Sequence, residues 1–212
     1  FLAIADALNL DAGGGVIAAR YAIAPFFAGS AALIWIISRR VGGGPIAATT
    51  ASLVFVFSPL ALGYGRMVFL DNISTFWTLV AFTLVLSPRQ WLFSHATAGA
   101  ATAMAALSKI TALSAGPAIL LAMLDRPRWR TRRFSVAAFF AVGGAVMAFF
   151  PLMALLRGEL FSGPGHVSLQ DGLTYQFASR GGSGSIFDET SPRWGLMSAW
   201  SLSDAVMVCV GL

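Results

Sequence analysis

Arg66 and Asp71 lie five residues apart in Tyr64-Gly65-Arg66-Met67-Val68-Phe69-Leu70-Asp71-Asn72, between two runs, 46–62 and 73–86, that carry no charge. An ionisable group near or within a bilayer is expensive, and it usually marks a pathway or a reaction site. Arg20 opens another apolar run, and Lys109 interrupts a third in Leu107-Ser108-Lys109-Ile110-Thr111. Arginine offers phosphate a bidentate fork and lysine a point charge. A carboxylate beside them orients the cations or holds a hydroxyl. A phosphate leaving group needs this kind of charge stabilisation in its transition state. Arg20, Arg66 and Lys109 are therefore candidate phosphate contacts, with Asp71 and Tyr64 in support. Plainer roles exist. Asp71 suits a helix N-cap, and Arg20 and Arg66 suit snorkelling to lipid headgroups. Lys109, in the middle of an apolar run, suits neither role.

The elements that must position these groups are membrane helices. The chain is 57% hydrophobic and 11% charged, with mean hydropathy +0.76, whereas a soluble domain carries about 25% charged residues. Apolar runs of roughly 20 residues define an integral membrane protein, and no nucleic-acid partner is expected despite a pI near 10.3. The single cysteine, Cys209, excludes an internal disulfide and a cysteine-rich metal site. His166 has no second histidine at ligand spacing, so no metal site and no cofactor are expected, although metal dependence stays open. His95 reads as interfacial.

Six apolar segments are expected: Val16–Ser38, Ile46–Gly63, Ile73–Leu86, Leu92–Leu124 with an interruption, Phe134–Leu156, and one beginning near Leu202. Residues 1–15 read as an interfacial segment ending in the turn Gly13-Gly14-Gly15. Pro25, Pro59, Pro117 and Pro151 read as kinks or helix starts. The positive-inside bias places Arg39, Arg40, Arg89, Arg126, Arg128, Arg130, Arg132 and Arg133 on the cytoplasmic side. The spans then alternate only if Leu92–Leu124 is two short crossings divided at Lys109. Arg20, Arg66, Asp71, Lys109 and the loop 157–200 all fall on the outer side.

That loop is the one long polar region. His166, Gln176 and Arg180 are its candidate ligand contacts. Gly181-Gly182-Ser183-Gly184-Ser185 suits a backbone anion nest but lacks the Gly-Lys-Ser/Thr of a phosphate loop. Interspersed aromatics (Phe161, Tyr175, Phe177, Phe187, Trp194, Trp200) favour a lid or substrate platform over disorder. The expected organisation is an interfacial segment 1–15, a helix bundle 16–156 with about six crossings, an extracytoplasmic loop 157–200, and a further helix starting at 201–212.

Arg20 at the head of a span, Ser38-Arg39-Arg40-Val41-Gly42-Gly43, the Arg66–Asp71 turn, and Gly99 followed by Ala105-Ala106-Leu107-Ser108-Lys109 resemble the polyprenol-phosphate-dependent glycosyltransferases. The nearest group is glycosyltransferase family 39, the protein O-mannosyltransferase-like enzymes of GT-C fold, in their bacterial form. The likeness covers residues 15–125 by motif and the rest by layout. It implies a multi-pass protein of the inner membrane that moves a sugar, mannose-like, from a polyprenyl-phosphate donor to an acceptor hydroxyl at the extracytoplasmic face, with inversion. The acceptor, whether protein, lipid or glycan, is left open. In such enzymes a carboxylate of the first outer loop is the general base. Asp6 and Asp11 lack its usual Asp-Glu context, so the chain is expected to be a piece of a longer protein with that base upstream of Phe1. Two other classes stay open: a transporter or flippase of an anionic lipid or solute, and a non-catalytic membrane scaffold.

Overall fold

A computed structural model describes residues 12–66, 69–88, 92–124, 129–163, 165–175 and 187–204. Most of these residues are helical, and the one β-pairing among them is an isolated bridge between Gly163 and His166. The helices are α1 (Ala12–Arg40), α2 (Pro45–Phe57), α3 (Pro59–Arg66), α4 (Leu70–Val85), α5 (Leu92–Ser108), a 3-10 helix (Ile110–Ala115), α6 (Gly116–Leu124), α7 (Trp129–Leu156), α8 (Leu169–Thr174) and α9 (Pro192–Ser203).

Local chemistry sets the ends of these helices. α1 stops where Gly42 takes φ +100°. The Gly43 N–H then donates to Ser38 O at 2.9 Å and the Gly42 N–H to Arg39 O at 3.4 Å, a glycine-terminated Schellman end. Arg39 and Arg40 in its last turn complement the helix dipole. α2 starts with Pro45 at its first position, where a missing N–H costs nothing. Gly13–Gly15 do not form the expected turn. They lie within α1, whose apolar stretch carries the helix through them.

Side-chain bonds fix the directions. Trp35 Nε1 donates to Thr49 Oγ1 at 3.4 Å and Ser52 Oγ donates to Ala31 O at 2.9 Å. Phe27 stacks on Phe55 at 5.2 Å, so α2 returns antiparallel along α1. α4 runs parallel to α1: Phe76 packs edge-on to Phe26 at 5.3 Å, and the Arg40 guanidinium donates to Thr83 O about two turns further along α4. α5 climbs back along α4, with Ser74 Oγ donating to Ala105 O at 3.1 Å.

The chain breaks at Lys109, which is extended at φ −156°, ψ 116°. After the break it descends again. Ile119 and Met123 of α6 join Ala81, Val85, Ala98, Ala101 and Phe139 in the buried core. The division of 92–124 at Lys109 therefore matches the chain path. α7 crosses α5 at backbone contact. A Cβ on Gly99 would sit 2.0 Å from Phe139 O, and one on Gly143 would sit 2.9 Å from Gly99 O. Such small-residue crossings let helices approach without a hydrophobic drive.

Two helical stretches, Ala19–Arg40 and Arg132–Leu156, are long and apolar enough to cross a membrane. The pair α2–α3 makes a third if its 61° bend belongs to one span. The bend falls at Ser58-Pro59, where proline cannot continue a helix and instead starts one. α4 has 16 residues and α5 has 17. At 1.5 Å per residue each is about 24–26 Å long, short of a hydrocarbon core of about 30 Å.

Candidate functional site

Two chain breaks bring three helix ends together at one end of the bundle. These are the end of α3, the start of α4 and the end of α5 at the extended residue Lys109, before the 3-10 helix. Asp71 is not the N-cap of α4. That position is Phe69, which makes no side-chain cap, and Asp71 sits in the first turn, where its charge complements the helix dipole. Its carboxylate instead forms an ion pair with Lys109 Nζ. The side chains remain 36% and 44% exposed, so the pair is reachable from solvent. Helical geometry explains the break at Lys109: Ser108 hydrogen-bonds back to Met104 O at 2.8 Å, and the β-branched Ile110 and Thr111 that follow disfavour another α-turn.

Asn72 supports the turn. It is buried, and its Nδ2 donates to Tyr64 O at 2.8 Å. This bond closes the connection between α3 and α4 and holds Tyr64 over a cavity. The cavity has a volume of about 310 Å³ and is walled by Phe27, Phe55, Tyr64, Asn72, Asp71 and Lys109, among others. Tyr64 also packs against Phe69, with centroids 5.9 Å apart. Gly65 lets the Phe27 ring pack close, since a Cβ would lie 2.9 Å from it and force it to shift.

The floor of the cavity is the α2–α3 bend. Ser58 Oγ caps α3 by accepting from the Ala61 N–H at 3.0 Å. It also donates to Asp204, which accepts from the Leu60 N–H at 3.4 Å. Asp204 is 4% exposed. A carboxylate at the head of α3 is favourably placed, because a helix N-terminus presents free N–H groups and a positive dipole end. Asp204, the residue after α9, is thereby fastened to the cavity floor.

The expected site residues divide as follows. Lys109, Asp71 and Tyr64 converge on one cavity. Arg66 ends α3, two residues past Tyr64, and its side chain lies outside the described residues. Arg20 does not join them in the wall. It is exposed and lies on the same face of α1 as Phe27, seven residues away, which is about 10 Å along the axis towards the helix start. His166 belongs to the loop's own structure. Its Nε2 lies 3.3 Å from Phe161 O and its ring covers Gly163. Gln176 and Arg180 lie outside the described residues, as does the glycine-serine stretch 181–185. His95, expected near the membrane interface, is buried within the helix packing of α5 at 4% exposure.

The polar loop is ordered by its own capping chemistry. Ser168 and Asp171 form a reciprocal capping box at the head of α8, and Ser162 Oγ donates to Asp171 at 2.5 Å. The hydrogen bonds from Ser162 and then Ser168 hold the Asp171 carboxyl below its ordinary value of 3.8. Asp188 is held low in the same way by Thr190. The boundary expected at residue 200 falls inside α9, which runs from Pro192 to Ser203.

Asn72, Ser58 and Asp204 were not singled out from sequence as site residues. Asn72 follows Asp71 in the quoted motif, and a buried amide beside a paired charge is the signal available there. Asp204 is a lone acid at the edge of an apolar run, and nothing local ties it to Ser58, 146 positions away. No group of three or more His, Cys, Asp or Glu arranged to hold a metal occurs among the described residues. No protein-family model, curated protein or solved structure matches this chain.

Proposed function

We propose that this chain belongs to a polytopic, GT-C-like glycosyltransferase that takes a sugar from a polyprenyl-phosphate carrier at the extracytoplasmic face of the inner membrane. The observation that carries the reading is the Asp71–Lys109 pair, set where the α3–α4 connection meets the break at Lys109 beside an aromatic-walled cavity. In this role Lys109 neutralises the carrier phosphate as the sugar leaves, by charge placed where charge develops. Asp71 is a positioning residue that aims the ammonium, and Tyr64 closes the wall. Arg66 contributes a second cation from the end of α3, and Arg20 meets the carrier further out along α1. The acceptor hydroxyl approaches from the side of the loop 157–200.

A transporter of an anionic lipid or solute is the second reading. The 61° break of α2–α3 and the break at Lys109 favour it, because transporters build ion and substrate sites from discontinuous helices. Reconstitution of the full-length protein in liposomes separates the two. With a labelled polyprenyl-phosphate sugar and an acceptor extract, covalent transfer of label supports the glycosyltransferase. Movement of lipid or solute without transfer overturns it in favour of the transporter.

A further inference from the structure

We infer that the Asp71–Lys109 pair is a partition between two chambers, and that the second chamber seats the sugar of the donor; this rests on the carrier reading above. The second cavity, of about 290 Å³, lies between α4 and the 3-10 helix. It shares Asp71, Thr75 and Lys109 with the first cavity. The two differ in chemistry. The first is walled by aromatic rings. The second is lined by the hydroxyls of Ser74, Thr75, Thr78, Thr111 and Ser114.

On α4, residues 71, 74, 75 and 78 fall on one helical face, so a polar stripe runs about 10 Å down an otherwise apolar helix. Ser74 and Thr78 each donate to a backbone carbonyl, Ala105 O and Ser74 O, and keep acceptor capacity. The hydroxyls of Thr75, Thr111 and Ser114 make no side-chain hydrogen bond among the described residues. Each hydroxyl both donates and accepts, which matches a polyol, whose own groups do the same. Leu79 and Phe82 supply an apolar patch in the same wall for the C–H face of a ring. The volume is about that of ten waters, enough for one monosaccharide ring. A bound cation fits poorly, since the one carboxylate in the wall is already matched by Lys109. With the sugar among the hydroxyls, the phosphate lies at Lys109 on the partition.

The test measures binding by the full-length protein in detergent. The probes are short-chain polyprenyl phosphates bearing mannose or glucose, and the same lipid phosphate without sugar. Thr111→Val and Ser114→Ala lie in the second chamber alone. They are expected to weaken the sugar-bearing lipid about 3- to 10-fold, in line with a lost hydrogen bond of about 0.5–1.5 kcal/mol. The bare lipid phosphate should stay within about two-fold, which also certifies the fold. Unchanged binding of the sugar-bearing lipid overturns the inference and leaves the carrier reading intact, as does equal weakening of both ligands. So does a wild-type protein that binds the sugar-bearing lipids no more tightly than the bare one. If the wild-type protein binds neither class of lipid, the carrier reading fails and this inference fails with it.

Discussion

Replacing the two members of the ion pair one at a time should move anion affinity in opposite directions. Lys109→Met removes the cation that meets the phosphate. A charge-assisted hydrogen bond contributes about 1.5–3 kcal/mol, so a polyprenyl phosphate should bind about 10- to 100-fold more weakly. Asp71→Asn leaves the ammonium and removes a negative charge beside the ligand. A unit charge about 6 Å from that carboxylate is repelled by about 2.8 kcal/mol at an effective dielectric of 20. Both side chains are more than a third exposed, so solvent screening cuts this to about 1 kcal/mol, or roughly five-fold tighter binding. Turnover should nevertheless fall, because Lys109 loses the group that aims it. The assay is titration of the purified full-length variants with a short-chain polyprenyl phosphate at one ionic strength, followed by transfer measurements. Equal loss of binding in both variants would make the pair a structural strut and refute the phosphate role.

Three further outcomes follow from the packing and the caps. Gly99→Ala should destabilise the bundle by about 1–3 kcal/mol or more, because its Cβ would meet Phe139 O at 2.0 Å. Gly144→Ala, with nothing within 4 Å, should leave detergent thermal stability unchanged or slightly raised; equal effects would contradict the α5–α7 crossing. Asp204→Asn should cost about 1.5–3 kcal/mol, as a lost bond to a buried charge, and a double-mutant cycle with Ser58→Ala should give a coupling above about 0.5 kcal/mol; additivity would contradict the clamp. The Asp171 carboxyl is held below 3.8 by bonds that its charged form accepts. Its cap on α8 is therefore complete above about pH 4 and lost as pH falls through the lower folded value. The Ser168 amide donates to that carboxylate, so its protection factor should drop across that range and become pH-independent in Asp171→Asn; a flat wild-type profile would contradict the capping box.

The long apolar runs and the break at Lys109 were legible in the sequence, because run length and one charge in mid-run are local signals. Pro59 and Pro117 start helices, as their lack of an N–H and their fixed φ suggest, whereas Pro25 and Pro151 lie inside α1 and α7. The role of Asp71 was only half legible. An acid near a helix start suits a cap, and only the fold reveals that Lys109, 38 residues on, takes it as a partner. Arg20 failed to join the cavity because sequence gives the side of a bundle but not the depth along a helix. The continuation of α1 through Gly13–Gly15 shows apolar context overriding glycine's preference for a turn. Asp204 was invisible as a site residue because its bond to Ser58 depends wholly on tertiary contact.

The proposed role of Lys109 is to hold the carrier phosphate of a sugar donor. Its most direct test is labelled-sugar transfer from polyprenyl phosphate by the full-length protein, wild type against Lys109→Ala, with thermal unfolding recorded for both. Transfer by the wild type that falls at least about 100-fold in the variant, with the fold intact, is the predicted result. Equal transfer by both proteins, or no transfer by either, would contradict it.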